Sequence, residues 1–396
     1  MIKFNYLGQS YQTQRVVGKV TGIDGPILVF VGGLHGNERS GIVAMQQVFE
    51  YLTTSQIELK GQLIGLAGNL GALESNKRFL SCDLNRIWDD GFAKRVKVQP
   101  ESTNDHSLES GCVDIAHAEY REQQELFQVL EPLMNQAGPS YFIDLHTTSA
   151  HSIPFIVVND QLGNRSFARH FPIPTILGIE EHIEGPLLSY LNDFGHVALA
   201  FEAGQHDDPE SICTHVSFIY MAMLTAGVIA EHDIPDLEDH RLRLKHQGQA
   251  NHGFFEVVFR KAIESEDEFV MSPGFDNFAP ISKGDLLAHD RSGPIQATHT
   301  GRIFMPLYQS DGNDGFFVVR SVPQWALVLS KFLREVNLQR ALTWLPGVSR
   351  CDQRPDAIVV NKKIARFLSI ELFHLLGYRR KRDDGKEMIF LRREVG

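Results

Sequence analysis

The hydrophobic pattern of the N-terminal part of the chain predicts strands that alternate with helices. Short apolar runs bounded by glycine or polar residues predict strands at 26–31, 62–68, 141–145, 153–158, 175–179 and 197–201. Between them, apolar residues recur with helical spacing after Ser40, and residues 120–136 show a second amphipathic helical pattern. This alternation is typical of an α/β fold in which helices cover both faces of a mostly parallel, mixed sheet.

The pattern changes near residue 245. Short alternating runs at 255–259, 301–305 and 315–319 lie between Gly, Pro and Asp turns, which predicts a smaller β domain. The charged stretch 233–246 predicts a connecting segment. The chain after Trp325 predicts a helical tail, and its basic run 379–382 predicts a solvated surface turn. We therefore expect an α/β domain at 1–245, a small β domain at 246–330 and a C-terminal α/β extension at 331–396, for which the sequence indicates no role.

Composition narrows the function classes. The chain has 396 residues, 43% of them hydrophobic and 22% charged, with a formal net charge of −11. This charge argues against a nucleic-acid partner, because phosphates would be repelled. The N-terminal residues lack the apolar core of a signal peptide, and no apolar run approaches the length of a membrane helix. The four cysteines form no CxxC pair, so we expect a cytoplasmic protein without disulfides; a homo-oligomer stays open.

Residues 31–38, Val-Gly-Gly-Leu-His-Gly-Asn-Glu, follow the first predicted strand and place His35 and Glu38 in a glycine-rich turn. Imidazole nitrogen and carboxylate oxygen are ligands that zinc accepts, and catalytic zinc sites use three protein ligands. A third ligand is offered by His146, at the end of another predicted strand. Ligands of open α/β sheets bind at the carboxyl ends of strands. The pattern therefore favours a metal site at this edge, although short His/Glu pairs are also common in structural roles.

Two further segments carry candidate chemistry. Asp83-Leu84-Asn85-Arg86, with Arg78 upstream, combines an acid, an amide and guanidinium groups suited to a carboxylate. Glu202 leaves a buried strand and is a candidate general base, because desolvation raises the proton affinity of a carboxylate. Asp144 lies two residues before His146 and is either an acceptor that fixes its tautomer or an ordinary strand-end carboxylate.

Taken in order, the segments 32–38, 83–86, 144–146 and 201–204 resemble the motifs of the succinylglutamate desuccinylase/aspartoacylase family, a branch of the zinc carboxypeptidase-like hydrolases. The resemblance covers roughly residues 20 to 320 and is far more specific than any one motif. It implies one Zn²⁺ per chain bound by His35, Glu38 and His146. It also implies a zinc carboxypeptidase-like α/β domain followed by a smaller β domain.

The resemblance also implies roles for the remaining residues. Glu202 would activate the water at the metal, and Arg78 would polarise the scissile carbonyl. Asp83 would support His35, while Asn85 and Arg86 would hold a substrate carboxylate. The substrate would be a small, carboxylate-bearing amide such as an N-acyl amino acid.

Two features depart from the family pattern. Aspartoacylases use a C-terminal tyrosine near substrate, for which Tyr308 is the nearest candidate, and the tail from about residue 331 exceeds the usual length. Two alternatives to deacylation stay open. One is a metallocarboxypeptidase acting on short peptides through the same residues, and the other is a non-catalytic protein that binds a small acid. His206 and His215, which follow Glu202 closely, are further candidates for lining the site.

Overall fold

The protein is built around one large sheet. The computed structural model describes residues 1–88, 92, 118–248, 251–309, 312–351, 354–365, 370–383 and 386–393. The strands of the N-terminal part are β1 (Ile2–Tyr6), β2 (Gln9–Thr13), β3 (Val16–Thr21), β4 (Ile23–Gly32), β5 (Lys60–Ala67), β6 (Ser140–Thr148), β7 (Phe155–Val158), β8 (Pro174–Leu177) and β9 (Val197–Gln205). The helices there are α1 (Ser40–Thr54), α2 (Leu70–Ser75), α3 (Ala118–Met134), α4 (Leu162–Ala168), α5 (Leu187–Asp193), α6 (Glu210–Ala226) and α7 (Leu237–Gly248).

The C-terminal part is mainly β structure. Its strands are β10 (Gly253–Ala262), β11 (Val270–Met271), β12 (Pro280–Ile281), β13 (Leu286–Asp290), β14 (Gly293–Gln296), β15 (Gly301–Phe304), β16 (Asp314–Ser321), β17 (Val348–Cys351), β18 (Arg354–Asn361), β19 (Tyr378–Asp383) and β20 (Glu387–Arg392). Its helices are α8 (Gln324–Glu335) and α9 (Ile370–Leu375), with a 3₁₀ segment at Leu338–Trp344. No helix within the described ranges combines the length and hydrophobicity that crossing a membrane requires.

Eleven strands form the large sheet in the order β12-β15-β16-β10-β8-β7-β9-β6-β4-β5-β3. Strands β5, β4, β6 and β9 run parallel in its centre, and β7 joins β9 in the antiparallel sense. Strand β4 is buried on both faces: Leu28 and Phe30 belong to one hydrophobic core, and Val29 and Val31 belong to the other. A strand covered on both sides reads as a continuous apolar run. The predicted α/β fold, a mostly parallel mixed sheet flanked by helices, is confirmed.

The chain beyond residue 246 continues this sheet and then leaves it. Strand β10 pairs in parallel with β8 and antiparallel with β16, while β11, β13 and β14 form a separate three-stranded sheet. Strands β17, β18, β20 and β19 form a four-stranded antiparallel sheet with its own hydrophobic cluster around Phe373 and Phe390. The division into three domains stays a prediction, since the large sheet runs across residue 246.

Two local predictions are wrong. The stretch 233–246 contains most of helix α7, which packs against α6, and is therefore not merely a connecting segment. The basic run 379–382 lies in strand β19, and Arg379 is among the most deeply buried large side chains of the protein. A charged run looks solvated in sequence, but alternate side chains of a strand point to opposite faces, and one of these faces the interior.

Candidate active site

The ends of three neighbouring strands bring the predicted residues together. His35 and Glu38 lie in the turn between β4 and α1, His146 lies near the end of β6, and Glu202 lies on β9 directly beside His146. The turn needs glycine at Gly36, where an added Cβ would lie 2.0 Å from the Ala72 carbonyl carbon. All four functional side chains are buried. The parallel arrangement of β4, β6 and β9 therefore explains why distant residues meet at one edge.

The two histidines present equivalent nitrogens to one carboxylate. His35 Nδ1 lies 2.8 Å from Glu38 Oε1, and His146 Nδ1 lies 2.8 Å from Glu38 Oε2. Potential ligand atoms of the three residues lie within 4.8 Å of one another. This is a compact set of two imidazoles and one carboxylate, which is the donor chemistry of catalytic zinc sites such as those with two histidines and a glutamate.

An aspartate engages the other nitrogen of each ring. His35 Nε2 lies 3.1 Å from Asp83 Oδ1, and His146 Nε2 lies 2.5 Å from Asp144 Oδ2. An acceptor at Nε2 fixes the tautomer that leaves Nδ1 with a free lone pair, as is usual around metal-binding histidines. Asp83 thus contacts His35, the histidine that the family resemblance implies it supports, and Asp144 makes the contact expected of a tautomer-fixing acceptor.

Charges within the cluster shift its acids and bases in opposite directions. Burial alone would raise the pKa of Glu38 and of Asp83, but the neighbouring histidines, and for Asp83 also Arg86 and Arg78, hold both pKa values well below the ordinary range. Burial alone would lower the pKa of His146, but Asp144 and Glu38 hold it well above its ordinary value. The cluster therefore favours charged carboxylates, which are the form that binds a cation.

Glu202 behaves differently from these acids. Burial raises the pKa of its carboxyl group to about 8, with Glu38 and Asp144 adding to the increase and His146 opposing it. Its Oε2 is buried and has no hydrogen-bond partner among the described residues. A buried carboxylate oxygen without a partner is costly unless a ligand or water engages it. Glu202 lines the same cavity as His35, Glu38 and His146.

The cavity encloses about 430 Å³, a volume suited to a small molecule. Arg78 enters it with its guanidinium 3.5 Å from Glu38 and 3.3 Å from Asp83, and its Nε is buried without a partner in the described chain. Asn85 also lines the cavity, but its Oδ1 accepts from Leu187 N at 2.9 Å. Its amide group lies 3.4 Å from Asp144. Both ends of this side chain are therefore engaged within the protein.

Arg86 contacts the carboxylate of Asp314, a residue that the sequence does not predict at the site. Asp314, at the start of β16, lies 3.5 Å from the Arg86 guanidinium and 2.5 Å from Nε of Arg260 on β10. Asp314 lines the cavity. Nothing in the sequence points to this residue, because its position depends on the way β10 and β16 extend the sheet.

Part of the cavity lining is apolar. It is formed by buried or half-buried side chains of the central strands and the following loops: Val157, Ile179, Ile183, Leu188, Ala200, Met305 and Phe317. His206 also lines the cavity and contacts Thr147 Oγ1 at 2.8 Å, while His215 is buried beside Ser40. Tyr308 does not line the cavity, since its hydroxyl donates to the Ser272 carbonyl at 2.8 Å. The cysteines within the described ranges, Cys82, Cys213 and Cys351, form no disulfide bond, and Cys112 lies outside those ranges.

Residues 24–210 match the family model described as the succinylglutamate desuccinylase/aspartoacylase catalytic domain. This region, just under half of the chain, resembles the catalytic domain of the succinylglutamate desuccinylase/aspartoacylase family. It contains His35, Glu38, His146 and Glu202, which the resemblance had singled out, together with Arg78 and Asp83–Arg86. The family assignment made from the four motifs is therefore confirmed for this region.

Individual relatives match over shorter lengths. The succinylglutamate desuccinylase of Photorhabdus laumondii is 29% identical over 146 residues, which are 36% of this chain and 40% of that protein. The succinylglutamate desuccinylase of Yersinia enterocolitica is 34% identical over 82 residues, 21% of this chain and 24% of that protein. The chain thus spans less than half the length of the curated desuccinylases that it matches.

Solved structures extend the likeness to most of the fold. A succinylglutamate desuccinylase from Vibrio parahaemolyticus superposes with a TM-score of 0.54 at 14% identity, covering 76% of this chain and 83% of that one. A succinylglutamate desuccinylase/aspartoacylase from Rhodobacter sphaeroides gives 0.54 at 18% identity, covering 77% and 88%. A product-bound ectoine utilization protein from Ruegeria pomeroyi gives 0.52 at 18% identity, covering 76% and 87%. At these identities the likeness establishes the desuccinylase/aspartoacylase fold.

Proposed function

We propose that this protein is a zinc-dependent hydrolase that cleaves the amide bond of an N-acyl amino acid. The observation that carries the proposal is the convergence of His35, Glu38 and His146 beside the unpartnered carboxylate of Glu202 in one cavity. A structural cluster has no need of a buried general base, whereas hydrolysis of an amide requires one.

The residues present fit a zinc ion. Nδ1 of both histidines and the Glu38 carboxylate would hold it, and Asp83 and Asp144 would orient the rings through Nε2. When bound, zinc supplies a Lewis acid that makes water more acidic and polarises a carbonyl group. A cation beside Glu202 would also favour its ionised form and so prepare it to accept a proton.

The remaining steps belong to the side chains. Glu202 takes a proton from the attacking water and later passes it to the nitrogen of the leaving amine, which needs a proton to depart. Arg78 has an unpartnered Nε and donates to the carbonyl oxygen as negative charge develops there. Arg86, partly exposed at the other side of the cavity, binds the substrate carboxylate, and Asn85 keeps Asp144 and the start of α5 in place.

The charges of the cavity favour a substrate with one carboxylate. Within the described part of the cavity lining, Arg78 and Arg86 are the guanidinium groups, and each already faces carboxylates of the chain. A second substrate carboxylate beside Arg86 would face Asp314, and like charges in such proximity repel. The apolar wall suits an uncharged acyl group or side chain instead. We therefore propose N-acyl amino acids with one carboxylate as the preferred class.

The test is amine release from a panel of substrates by the full chain loaded with zinc. The panel contains N-acetyl amino acids with apolar side chains, N-succinylglutamate and dipeptides. Preferential hydrolysis of the N-acetyl compounds supports the proposal. Preferential hydrolysis of dipeptides would indicate the carboxypeptidase alternative, and binding of these acids without turnover would indicate the non-catalytic one.

The substitution Glu202→Gln tests the proposed role of Glu202 as the general base. We expect kcat to fall by about 10³-fold, within the range of general acid–base effects, because the amide cannot accept the proton. Zinc content should be unchanged, since Glu202 is not among the three clustered ligands. Glu210→Gln is the matched control, because that exposed carboxylate pairs with Arg243 outside the cavity. Unchanged turnover in the Glu202 variant would remove this residue from its proposed role.

A further inference from the structure

Helix α8 buries polar side chains and exposes an apolar face. The side chains that it buries against the protein include Ser330 and Arg334, beside Leu327. Its outward face is an apolar stripe, which we define as Trp325, Val328, Leu329, Phe332 and Val336, with Trp325 67% and Phe332 58% exposed. These positions recur at helical intervals of three and four, so they share one face. An ordinary surface helix buries its apolar stripe and exposes its polar one.

Specific polar contacts fix this orientation. Arg334 donates to the Asp160 carboxylate at 3.0 Å and to the His374 carbonyl at 2.8 Å. Ser330 Oγ donates to the Leu375 carbonyl at 2.8 Å. Rotating α8 to bury its stripe would break these bonds and remove one of the three arginines that pair with the buried Asp160 carboxylate. The exposure of the stripe is therefore built into the way α8 is anchored.

The exposed apolar area around α8 is large for the surface of a monomeric protein. The 3₁₀ segment after α8 contacts this helix and carries two further exposed apolar side chains, Leu338 and Trp344, the latter 86% exposed. The seven side chains together expose on the order of 800 Å². A continuous patch of this size would exceed the largest apolar patch of a typical monomer, roughly 300–600 Å². It would match what one partner contributes to an interface of standard size, roughly 800 Å².

We propose that the outward face of α8, with Leu338 and Trp344, is the surface at which two copies of this chain pair about a two-fold axis. The area is sufficient for both copies to contribute the same patch, as a two-fold interface requires. Lys331 and Glu335 lie along one edge of the stripe. In a two-fold arrangement, Lys331 of one copy can face Glu335 of the other, so this edge is complementary to its own symmetry mate. This inference does not depend on the proposed function.

The charged groups beside the stripe disfavour a lipid surface as the occupant. Helices that lie on anionic membranes carry many Lys or Arg residues beside their apolar face. Here the exposed edge of the stripe pairs Lys331 with Glu335, and Arg334 is turned inward. The stripe therefore lacks the row of outward basic groups that would hold it on anionic headgroups.

The experiment measures mass by sedimentation velocity and light scattering of the full chain between about 1 and 100 µM. We expect a dimer that dissociates on dilution, and Phe332→Glu should raise its dissociation constant by at least about 30-fold. Phe194→Glu is the matched control, since Phe194 is 59% exposed at the end of α5 and should leave the dimer intact. Phe332→Ala gives a smaller change in the same direction should the charged variant fold poorly.

Tryptophan fluorescence gives an independent readout. Of the three tryptophans, Trp88 is buried, whereas Trp325 and Trp344 belong to the proposed surface. Dimer formation should protect them from acrylamide quenching, and dilution or Phe332→Glu should restore the quenching. A wild-type chain that is monomeric throughout this range overturns the proposal. So does a dimer that Phe332→Glu leaves intact, or binding of the monomer to phosphatidylglycerol vesicles that Phe332→Glu abolishes.

Discussion

Two clusters of buried charge lie near the short segment Ile179–Glu181, and they differ in whether they line the cavity. Ile179 lines the cavity, where Glu202 and Arg78 keep buried polar atoms without hydrogen-bond partners among the described residues. Glu181 faces the C-terminal extension, where His374 and Arg379 neutralise it at 2.8 and 3.2 Å. Burial of charge alone therefore does not distinguish the two clusters, whereas the position of unpartnered polar side chains in a cavity lining does.

The second cluster is centred on Asp160, a fully buried carboxylate. It forms ion pairs with Arg165, Arg334 and Arg379 at 2.5, 3.0 and 2.6 Å. These arginines come from α4, α8 and β19, so the cluster joins the C-terminal extension to the α/β part of the chain. Asp160 Oδ1 and Arg165 Nε lack a hydrogen bond but lie 2.5 Å from each other as an ion pair, and the four residues of the cluster do not line the cavity. We therefore assign the cluster a structural role.

Removing one arginine partner of Asp160 tests most directly whether this cluster stabilises the fold. Arg379→Met should lower the free energy of unfolding by about 3–5 kcal/mol, because it leaves buried carboxylates undercompensated. Turnover of the protein that remains folded at low temperature should change little, the reverse of the Glu202→Gln result. The measurement is urea unfolding followed by circular dichroism.

The matched control is Arg354→Met, which removes a half-exposed arginine paired with Asp356 at 3.3 Å. A surface pair of this kind contributes at most about 1 kcal/mol. Equal losses in the two variants would show that the buried cluster contributes no more than a surface pair.

The dependence of stability on pH tests the same cluster. His374 and Arg379 outweigh burial and lower the pKa of Glu181 to about 2, and three arginines hold the pKa of Asp160 well below its ordinary value. The unfolded chain therefore takes up protons before the folded one does. This stabilisation is fully present above about pH 4.5 and is lost as the pH falls towards 2.

Urea midpoints between about pH 6 and 2.5 measure this loss. Arg379→Met should flatten the dependence, because it moves both pKa values back toward their ordinary range. An identical slope in the variant and the wild type would contradict the assignment of the acid sensitivity to this cluster.

The smallest predicted effect concerns substrate choice. Asp314→Asn removes the negative charge beside Arg86 and should raise the kcat/KM of a substrate with an additional carboxylate, relative to one with a single carboxylate, by about tenfold. Asp290→Asn is the control, since that aspartate pairs with Lys261 outside the cavity. If both substrates are turned over and the ratio of their kcat/KM values is unchanged in the Asp314 variant, Asp314 does not determine this selectivity.

The sequence was sufficient for much of the cavity because the decisive residues follow apolar strands directly. His35, His146 and Glu202 could be placed at one edge from strand periodicity alone, and the four motifs identified the family. Asp314 could not be found, since its contact with Arg86 spans 228 positions and requires the large sheet to continue through β10 and β16.

The C-terminal extension shows a second limit of sequence patterns. Periodicity predicted the helix that became α8 but not which of its faces would be buried. In the sequence, Arg334 and Arg379 look like ordinary charged residues. In the structure, both pair with the buried carboxylate of Asp160, which lies far away in the chain. Pairing across such separations outweighs the usual preference of arginine for solvent.

The insertion of Arg379 beneath the Ile179–Glu181 segment has a practical consequence for anyone who wishes to shorten this protein. A fragment trimmed after residue 330 to the dimensions of its shorter relatives would lose Arg334, His374 and Arg379 together, leaving two interior acids without most of their counterions. Such a fragment should be recovered as aggregate unless Asp160 and Glu181 are first converted to neutral residues. The extension thus supplies counterions that the α/β part of the chain requires, and it is not a removable appendage.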